Sequence, residues 1–248
     1  MAAPWAAPLV TDIERQLLAQ IALGRPWARI DPLLLVAEAG AGKTWFARRL
    51  GEALGLPTAL VELGNTTDDR LLSGTPRGWS NAQPSWPLMV IANTRCPNPL
   101  LVLDEVDKAG GSDRNGMPHR ALLSLLEPAS ARAWHDQCLL GDCDLSQVNW
   151  IGCANSLGPI PAPLLSRFRV VKVPPPKPED FAPMLASIVA SLAVEWDVSA
   201  SMLPDLPPRA LRLLRERFLR QPSIRQLAQD VRAVVTARLA DGKGPKRH

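Results

Sequence analysis

The chain has 248 residues, of which 46% are hydrophobic and 21% are charged, close to the usage of folded globular domains. This composition excludes a largely disordered or fibrous protein, and the apolar runs are far shorter than the ~20 residues of a membrane span. The net charge of +4 permits an acidic partner or nucleic acid but favours neither, because an ordinary solvated surface can also carry it.

Residues 1–30 form an N-terminal lead-in to the first predicted strand. They have neither a basic start nor a continuous apolar stretch, which argues against a secretory signal and predicts a cytoplasmic protein. In that reducing environment we expect the four cysteines to be free thiols. A zinc site at His135, Cys138 and Cys143 is disfavoured, because the sequence lacks paired Cys-x-x-Cys spacing.

A glycine-rich segment, AEAGAGKT at 37–44, follows a short apolar run and precedes apolar residues at helical spacing. This order predicts a strand, a loop and a helix. The loop matches G-x-x-x-x-G-K-[ST] at every defined position except the first, where Ala37 replaces glycine. If Ala37 needs a positive φ, the strain costs about 1–2 kcal/mol, which we expect the loop to tolerate.

Each part of this loop pattern has a defined role toward a nucleoside triphosphate. Backbone N–H groups hold the phosphates, the lysine reaches the β and γ phosphates, and the hydroxyl binds Mg²⁺. We therefore predict a site for ATP and Mg²⁺, with Thr44 as a metal ligand. The residues assigned to nucleotide binding are Gly40, Ala41, Gly42, Lys43, Thr44 and Trp45.

Two carboxylates, Asp104 and Glu105, end the apolar run LLVLDE at 100–105. A buried strand that ends in this pair after a phosphate loop is typical of a nucleotide site, because ligands bind beyond the carboxyl ends of parallel strands. We predict that Asp104 holds Mg²⁺ and that Glu105 polarises the attacking water.

Continuous apolar runs elsewhere predict further strands that are buried on both faces of a parallel α/β sheet. The proline-rich segment at 174–180 then interrupts the pattern, and only helical patterns follow it. The predicted divisions are the lead-in at 1–30, a nucleotide-binding α/β domain at 31–173, a helical domain at 178–240 and a basic tail at 241–248. The additional strand candidates are 59–63, 148–154 and 169–173.

The segments NPLLVLDEVDKAG, ALLSLLEP and WHDQCLLGDCDLSQVNWIGCANSLGPIPAPLLSRFRVV resemble the ATPase module of Lon-type proteases, a branch of the AAA+ superfamily. The resemblance covers residues 30–240 and is most specific at 99–171. It implies a P-loop NTPase of the AAA+ class, with a parallel sheet domain followed by a small all-helical lid domain. It also implies assembly into a ring, usually a hexamer, with ATP at the subunit interfaces.

The resemblance carries four functional residues over to this chain. Asn155 matches a sensor residue that orients water near the γ phosphate, and Arg167 matches the arginine finger that reaches a neighbouring subunit's site, with Arg169 as a second candidate. Arg225 lies where the lid carries its second sensor arginine. Trp79, in an exposed loop predicted at 73–87, matches the aromatic pore-loop residue that grips a polypeptide substrate.

Some features depart from the family. Ser166 replaces an acidic residue before the arginine finger, and one residue is inserted near Gly158 and Pro159. The family's peptidase domain has no counterpart in this sequence, so we expect an ATPase that does not cleave proteins in cis.

The expected function is an ATP-hydrolysing ring motor that remodels or threads protein substrates. The arginine-rich lid keeps open a nucleic-acid-associated ATPase, such as a loader or a mobile-element accessory factor. A third possible function is a switch in which ATP binding controls assembly of the protein.

Overall fold

A five-stranded sheet with the order β2-β3-β6-β1-β7 forms the centre of the larger part of the chain, and all of its neighbouring strands are parallel. A separate antiparallel hairpin pairs β4 with β5. The computed structural model describes residues 6–111 and 116–242. The strands are β1 (Leu33–Val36), β2 (Thr58–Glu62), β3 (Leu100–Asp104), β4 (Trp134–Asp136), β5 (Gly141–Cys143), β6 (Asn149–Ala154) and β7 (Arg169–Lys172).

Helices connect the parallel strands, as the alternating sequence pattern predicts. The order β1-α2-β2 is the strand, loop and helix expected around the phosphate loop. Helix α1 (Ala7–Ala22) precedes β1, and the helices between strands are α2 (Lys43–Leu54), α3 (Arg70–Ser73), α4 (Trp86–Thr94), α5 (Pro118–Leu125), α6 (Pro128–Ala131) and α7 (Ala162–Leu165).

The central strands form the core of this part of the chain. The side chains of Leu100–Leu103 are fully buried, and every residue of β6 is buried. Continuous apolar strands are required here because helices cover both faces of a parallel sheet. Burial of one such leucine contributes about 1.5–3 kcal/mol relative to its exposure, so these strands hold the sheet firmly.

The chain divides into two compact units. Among the described residues, one unit comprises 8–37 and 43–173, and the other comprises 6–7, 38–42 and 174–242. Residues 8–30, which the sequence analysis set apart as a lead-in, group with the sheet. A buried side chain explains part of this grouping, since Asn149 Oδ1 accepts a 2.8 Å hydrogen bond from the Ile30 N–H.

The hairpin of β4 and β5 was not predicted from the sequence. Its strands have three residues each and carry polar or small side chains such as His135, Asp142 and Gly141. Such short segments have no apolar alternation, which is the signal that identifies a strand. Backbone pairing and the buried side chain of Asp136 hold the hairpin instead.

The second unit contains three long helices around its own apolar core. The aromatic rings of Phe181 and Phe218 lie 5.7 Å apart in this core. Thus the predicted fold class, a parallel P-loop sheet domain followed by an all-helical domain, is confirmed. Of the predicted basic tail at 241–248, only residues 241 and 242 are among the described residues. The helices are α8 (Phe181–Glu195), α9 (Pro208–Arg220) and α10 (Ile224–Ala240).

Among the residues with described positions, no helix is long and apolar enough to cross a membrane.

Candidate functional site

The phosphate-binding loop begins where β1 ends. The Ala37 N–H donates a 3.2 Å hydrogen bond to the Ala154 carbonyl, which extends the pairing of β1 with β6. Ala37 does not have a positive φ; the positive values in the loop belong to Gly40 (+85°) and Gly42 (+89°). Ala37 therefore has no left-handed strain, and the strain energy that the sequence analysis allowed for at this position is absent.

Gly40 and Gly42 are required by space as well as by conformation. A Cβ on Gly40 would lie 2.7 Å from Ser223 Oγ, and one on Gly42 would lie 2.3 Å from Ile224 Cδ1. The Ile224 N–H also donates a 3.0 Å hydrogen bond to the Gly40 carbonyl. These contacts lie within the unit that contains residues 38–42 and the C-terminal helices. A larger residue at either glycine would have to shift the side chain of Ser223 or Ile224, and its positive φ would be strained.

Lys43 is the first residue of α2, and only 7% of it is exposed. Its ammonium donates hydrogen bonds of 2.7 Å to the Ala37 carbonyl and 2.9 Å to Asn155 Oδ1. A buried ammonium needs such partners because burial without them is costly. The lysine predicted to reach the phosphates and the predicted sensor amide are therefore in direct contact.

Thr44 lies beside the first of the two strand-end carboxylates. Its hydroxyl donates a 2.7 Å hydrogen bond to Asp104 Oδ2. The buried thiol of Cys153 is close to this pair, and burial, reinforced by the negative charge of Asp104, raises the pKa of Cys153 to about 12. Cys153 is thus a neutral thiol behind the two oxygen ligands predicted for the metal.

Glu105 has a left-handed backbone conformation, with φ of +55°. This conformation is uncommon for a residue other than glycine and tends to occur at functional sites. The Glu105 carboxylate pairs with the ammonium of Lys108, and the same hydrogen bond is the main cause that raises the pKa of Lys108. A Cβ on Gly64 would lie 2.2 Å from Glu105 Oε2, so Gly64 leaves room for this carboxylate.

Asp107 connects the turn after β3 to the end of β6. Its Oδ2 accepts hydrogen bonds from the N–H groups of Asn155 (3.0 Å) and Ser156 (3.1 Å). The turn that carries Glu105 is therefore tied to the backbone that carries the sensor amide. The sequence analysis missed Asp107 and Lys108. Their position directly after the D-E pair was the only available signal, because a partner about 48 residues away is not visible in the sequence.

The side chains in this part of the molecule fit a nucleoside triphosphate and a hard divalent cation. The N-terminal turn of α2 presents backbone N–H groups and the positive end of a helix, which favour phosphate. The ammonium of Lys43 adds a positive charge, and the oxygens of Thr44 and Asp104 are ligands that Mg²⁺ prefers. We therefore retain ATP and Mg²⁺ as the ligands that this set of residues would hold.

Trp45 follows directly in α2. Its indole Nε1 is buried and finds no hydrogen-bond acceptor among the positions described. A buried, unpaired donor is unusual. Its assignment to nucleotide binding stays a prediction.

Arg167 is bound to its own chain, close to α7. Its Nη1 donates a 2.8 Å hydrogen bond to the Pro163 carbonyl, and its Nε lies 3.8 Å from Glu127 Oε2. Arg169, the second candidate, pairs at 2.5 Å with Asp12 of α1. These partners differ from those of Lys43 and Asp104, so the structure does not bring Arg167 into the same cluster. A role in a neighbouring subunit stays a prediction.

Arg225 lies in the first turn of α10 and is exposed. Its neighbours Ser223 and Ile224 contact Gly40 and Gly42, so the helix start that carries it lies beside these two glycines. No hydrogen bond or ion pair of Arg225 is found within 6–111 and 116–242. Its predicted role in nucleotide binding is not tested by these contacts.

Trp79 lies in the loop between α3 and α4, and 57% of it is exposed. The guanidinium of Arg70 lies 5.0 Å from the centre of the Trp79 ring, in a cation–π contact. Trp79 lies in a segment separate from the residues around Lys43. This placement agrees with an exposed loop but does not test a role in a pore.

The chain is similar to AAA ATPases and to Lon proteases. The family model of ATPases associated with various cellular activities (AAA) matches residues 33–175. The peroxisomal Lon protease homolog 2 of Oryza sativa subsp. indica is 30% identical over 230 residues, which are 92% of this chain and 26% of the relative. Lon protease 4 of Sorangium cellulosum is 30% identical over 246 residues, 95% of this chain and 30% of the relative.

A further relative, the Lon protease of Nitrosococcus oceani, is 35% identical over 165 residues, 66% of this chain and 21% of that protein. The chain therefore spans roughly a fifth to a third of the length of these curated relatives.

Proposed function

Because the chain belongs to the AAA family of ATPases and is related to Lon proteases, we propose that it is a ring-forming motor that hydrolyses ATP to remodel or thread protein substrates. One observation carries the catalytic part of this proposal. The Lys43–Asn155 and Thr44–Asp104 hydrogen bonds join the phosphate loop to the carboxyl ends of β3 and β6. This is the edge of a parallel sheet at which such proteins bind ligands.

The chain's own residues account for the steps of hydrolysis. The N–H groups of the loop and Lys43 bind the phosphates, and Glu105 accepts a proton from the water that attacks the γ-phosphorus. The bond from that phosphorus to the ADP oxygen breaks, and ADP and phosphate leave. Mg²⁺ held by Thr44 and Asp104 would neutralise charge on the β and γ phosphates. Asn155 would orient the water through its amide.

Assembly supplies the remaining part of the site in this proposal. Arg167 would leave its contacts with Pro163 and Glu127 and reach the ATP of the next subunit, where it stabilises charge in the transition state. Arg225 would contact the phosphates from the helical domain. Trp79 would face the central channel, where an indole can hold many sequences by apolar contact.

A trap variant tests the proposed motor. Glu105→Gln removes the proton acceptor but keeps the binding residues, so we expect it to bind ATP and to hold substrate without release. With Mg²⁺ and ATP present, its binding to fluorescein-labelled casein, an unfolded protein, is measured by fluorescence anisotropy. Tight binding that requires ATP and weakens with Trp79→Ala supports the proposal. Binding that is indifferent to ATP would contradict it.

We propose ATP hydrolysis, and not peptide-bond hydrolysis, as the reaction of this chain. The family model covers residues 33–175, which include all the residues assigned to ATP chemistry around Lys43 and Asp104. Phosphate release and the cleavage of labelled casein, measured in the same reaction, test the two activities together. Casein fragments that appear with ATP turnover would disprove this assignment.

A basic helix favours a second candidate function, association with nucleic acid. Helix α9 has 13 residues, five of which are arginines and one of which is a glutamate. Arg217 pairs with Asp230 at 2.9 Å, but the other arginines have no carboxylate partner in the part of the chain that the structure describes. Unpaired cations on one helix can bind phosphates. These are Arg209, Arg212, Arg215 and Arg220.

Salt dependence distinguishes this candidate from the protein-remodelling motor. Binding of a fluorescent single-stranded DNA would weaken steeply as salt rises, and the slope would fall in Arg212→Glu/Arg215→Glu. The protein-remodelling proposal expects no such binding and no stimulation of ATP hydrolysis by DNA or RNA. Stimulated hydrolysis that is lost in the double variant would favour the nucleic-acid function.

A further inference from the structure

The turn between β4 and β5 presents two leucines to solvent. Leu139 is 44% exposed and Leu140 is 62% exposed. Leu140 also has a left-handed conformation, with φ of +54°, which carries a steric cost for a residue that has a Cβ. An exposed leucine recovers little of this cost by burial. The conformation closes the turn between β4 and β5, and it leaves both leucine side chains in solvent.

Asp136 holds the backbone of this turn in one conformation. The residue is fully buried, and its Oδ1 accepts hydrogen bonds of 2.9 Å from the N–H groups of both Cys138 and Leu139. The Leu140 N–H donates a 2.9 Å hydrogen bond to the Asp136 carbonyl. The two leucines are therefore presented by a fixed turn. Such preorganisation lowers the entropy lost on binding.

The same turn is joined to the loop that carries Trp79. Asp136 Oδ2 accepts a 2.8 Å hydrogen bond from the Ser85 N–H at the end of that loop, and Arg77 Nε donates a 2.7 Å hydrogen bond to the Cys138 carbonyl. Arg77 is two residues before Trp79 in the sequence. Two hydrogen bonds therefore connect the loop that carries Trp79 to the turn that carries Leu139 and Leu140.

The charges around these loops favour a polypeptide over a nucleic acid. Arg70 lies over the Trp79 ring and is 3.7 Å from Asp68, and Arg77 is bound to a carbonyl. On the hairpin itself, His135 pairs with Asp142 at 3.0 Å. Arg70 is thus paired with a carboxylate, and Arg77 is held by a hydrogen bond to the hairpin backbone, whereas binding of nucleic acid depends on cations that face its phosphates. The exposed groups are apolar and suit the side chains of an extended polypeptide.

We propose that the tip formed by Leu139 and Leu140 is a second contact site for the polypeptide substrate, which acts together with Trp79. This inference rests on the proposed remodelling function and names a further surface for its substrate. The tip and Trp79 hold apolar segments of an unfolded chain without reading its sequence. Asp136 positions both loops and makes no contact with the substrate.

Two variants test the tip. Leu139→Ser/Leu140→Ser removes both apolar side chains, and Leu140→Gly removes one while it relieves the left-handed strain. Each is placed in the Glu105→Gln background with ATP and Mg²⁺, and fluorescein-labelled casein is the probe. We expect the dissociation constant to rise at least tenfold for the double variant, because the burial of one leucine side chain is already enough to supply the ~1.4 kcal/mol that corresponds to a factor of ten. Leu213→Ser, at a leucine of α9 that is 58% exposed, is the matched control and should bind casein as the parent does.

Leu140→Gly separates a binding role from a structural one. We expect it to unfold at the same or a higher temperature than the parent, because glycine adopts a φ of +54° without strain, and yet to bind casein more weakly. A merely structural role would move stability and binding in the same direction.

Three results would overturn the inference, and they separate it from the proposed function. If both tip variants bind casein as tightly as the parent while Trp79→Ala binds weakly, the tip is not a contact site and the motor proposal stands. If Trp79→Ala also binds casein as tightly as the parent does, or if the parent does not bind casein with ATP, both the tip inference and the remodelling proposal fail.

Discussion

The ammonium of Lys43 donates a 2.9 Å hydrogen bond to Oδ1 of Asn155, across 112 residues of sequence. The same ammonium is bonded to the Ala37 carbonyl at 2.7 Å. The residue proposed to bind phosphate and the residue proposed to orient water are thus hydrogen-bonded to one another. Changes at the two ends of this bond should have different effects.

Lys43→Met should abolish ATP binding, because it removes the positive charge that faces the phosphates. Asn155→Ala should keep ATP binding but lower the rate of hydrolysis by about 10² to 10³, the usual effect of removing one group that stabilises the transition state. Binding of a fluorescent ATP analogue and release of phosphate measure the two effects. Arg48→Met, at an exposed cation of the same helix, is the control for Lys43.

Ala37→Gly should not improve the phosphate loop, since Ala37 does not have a positive φ. We expect unchanged hydrolysis and a loss of about 0.4–1 kcal/mol in the free energy of unfolding, because glycine increases the entropy of the unfolded chain. Gly42→Ala should instead lose ATP binding, as its Cβ would lie 2.3 Å from Ile224 Cδ1 and its φ is +89°. Urea unfolding and ATP titration check this pair, and a gain of activity in Ala37→Gly would contradict the argument.

Asp107→Ala should slow hydrolysis more than it weakens ATP binding. The change leaves the N–H groups of Asn155 and Ser156 without their acceptor, at a cost of about 1–3 kcal/mol, and frees the backbone that positions the sensor amide. Asp107→Asn keeps an accepting oxygen and should restore part of the activity. Separate measurements of kcat and of the dissociation constant for ATP test this. Asp142→Ala, at an exposed carboxylate, is the control.

Arg167→Ala should lose hydrolysis by about 10³ to 10⁵ while it retains ATP binding, as expected of an arginine finger. If Arg167 acts on a neighbouring subunit, a mixture with Lys43→Met should regain activity, because one protein supplies the finger and the other supplies the bound ATP. Phosphate release is measured for each protein alone and for the mixture. Two inactive proteins that stay inactive after they form mixed assemblies would disprove action across an interface.

Cys153 should contribute to the pH dependence of stability only in alkali. Burial, followed by the charge of Asp104, raises the pKa of its thiol from 9.0 to about 12. Between these values the unfolded chain loses a proton that the folded chain keeps, so the free energy of unfolding falls as pH rises through this window. Below pH 9 the contribution is constant.

Cys153→Ala should remove that alkaline component, which urea unfolding at pH 8 and pH 10 would reveal by comparison with the parent. The thiol should also fail to react with a disulfide reagent at pH 8 until the protein is unfolded. Rapid reaction of Cys153 in the folded protein would contradict its burial behind Thr44 and Asp104.

Much of the site could be predicted because its chemistry is encoded in short segments. The loop that contains Lys43 and Thr44, and the strand that ends in Asp104 and Glu105, have characteristic residues at fixed spacing. The parallel sheet was also predictable from β1, β3 and β6, whose continuous apolar runs are buried. The expected burial on both faces is wrong for β2 and β7, which are the edge strands and have exposed residues. The hairpin of β4 and β5 was not predictable, because three-residue polar strands carry no apolar alternation.

The sequence by itself determined the AAA family and the parallel α/β fold class with its helical domain, and it supplied the prediction of which residues bind phosphate and metal. Only the tertiary structure decided that Ala37 is free of left-handed strain, that Asp107 holds the backbone of Asn155, and that Asp136 ties the leucine tip to the loop of Trp79. The physical reason is the range of the interactions. Local patterns report which conformation and chemistry a segment favours, whereas a hydrogen bond between residues 48 or 51 positions apart exists only after the sheet has brought them together.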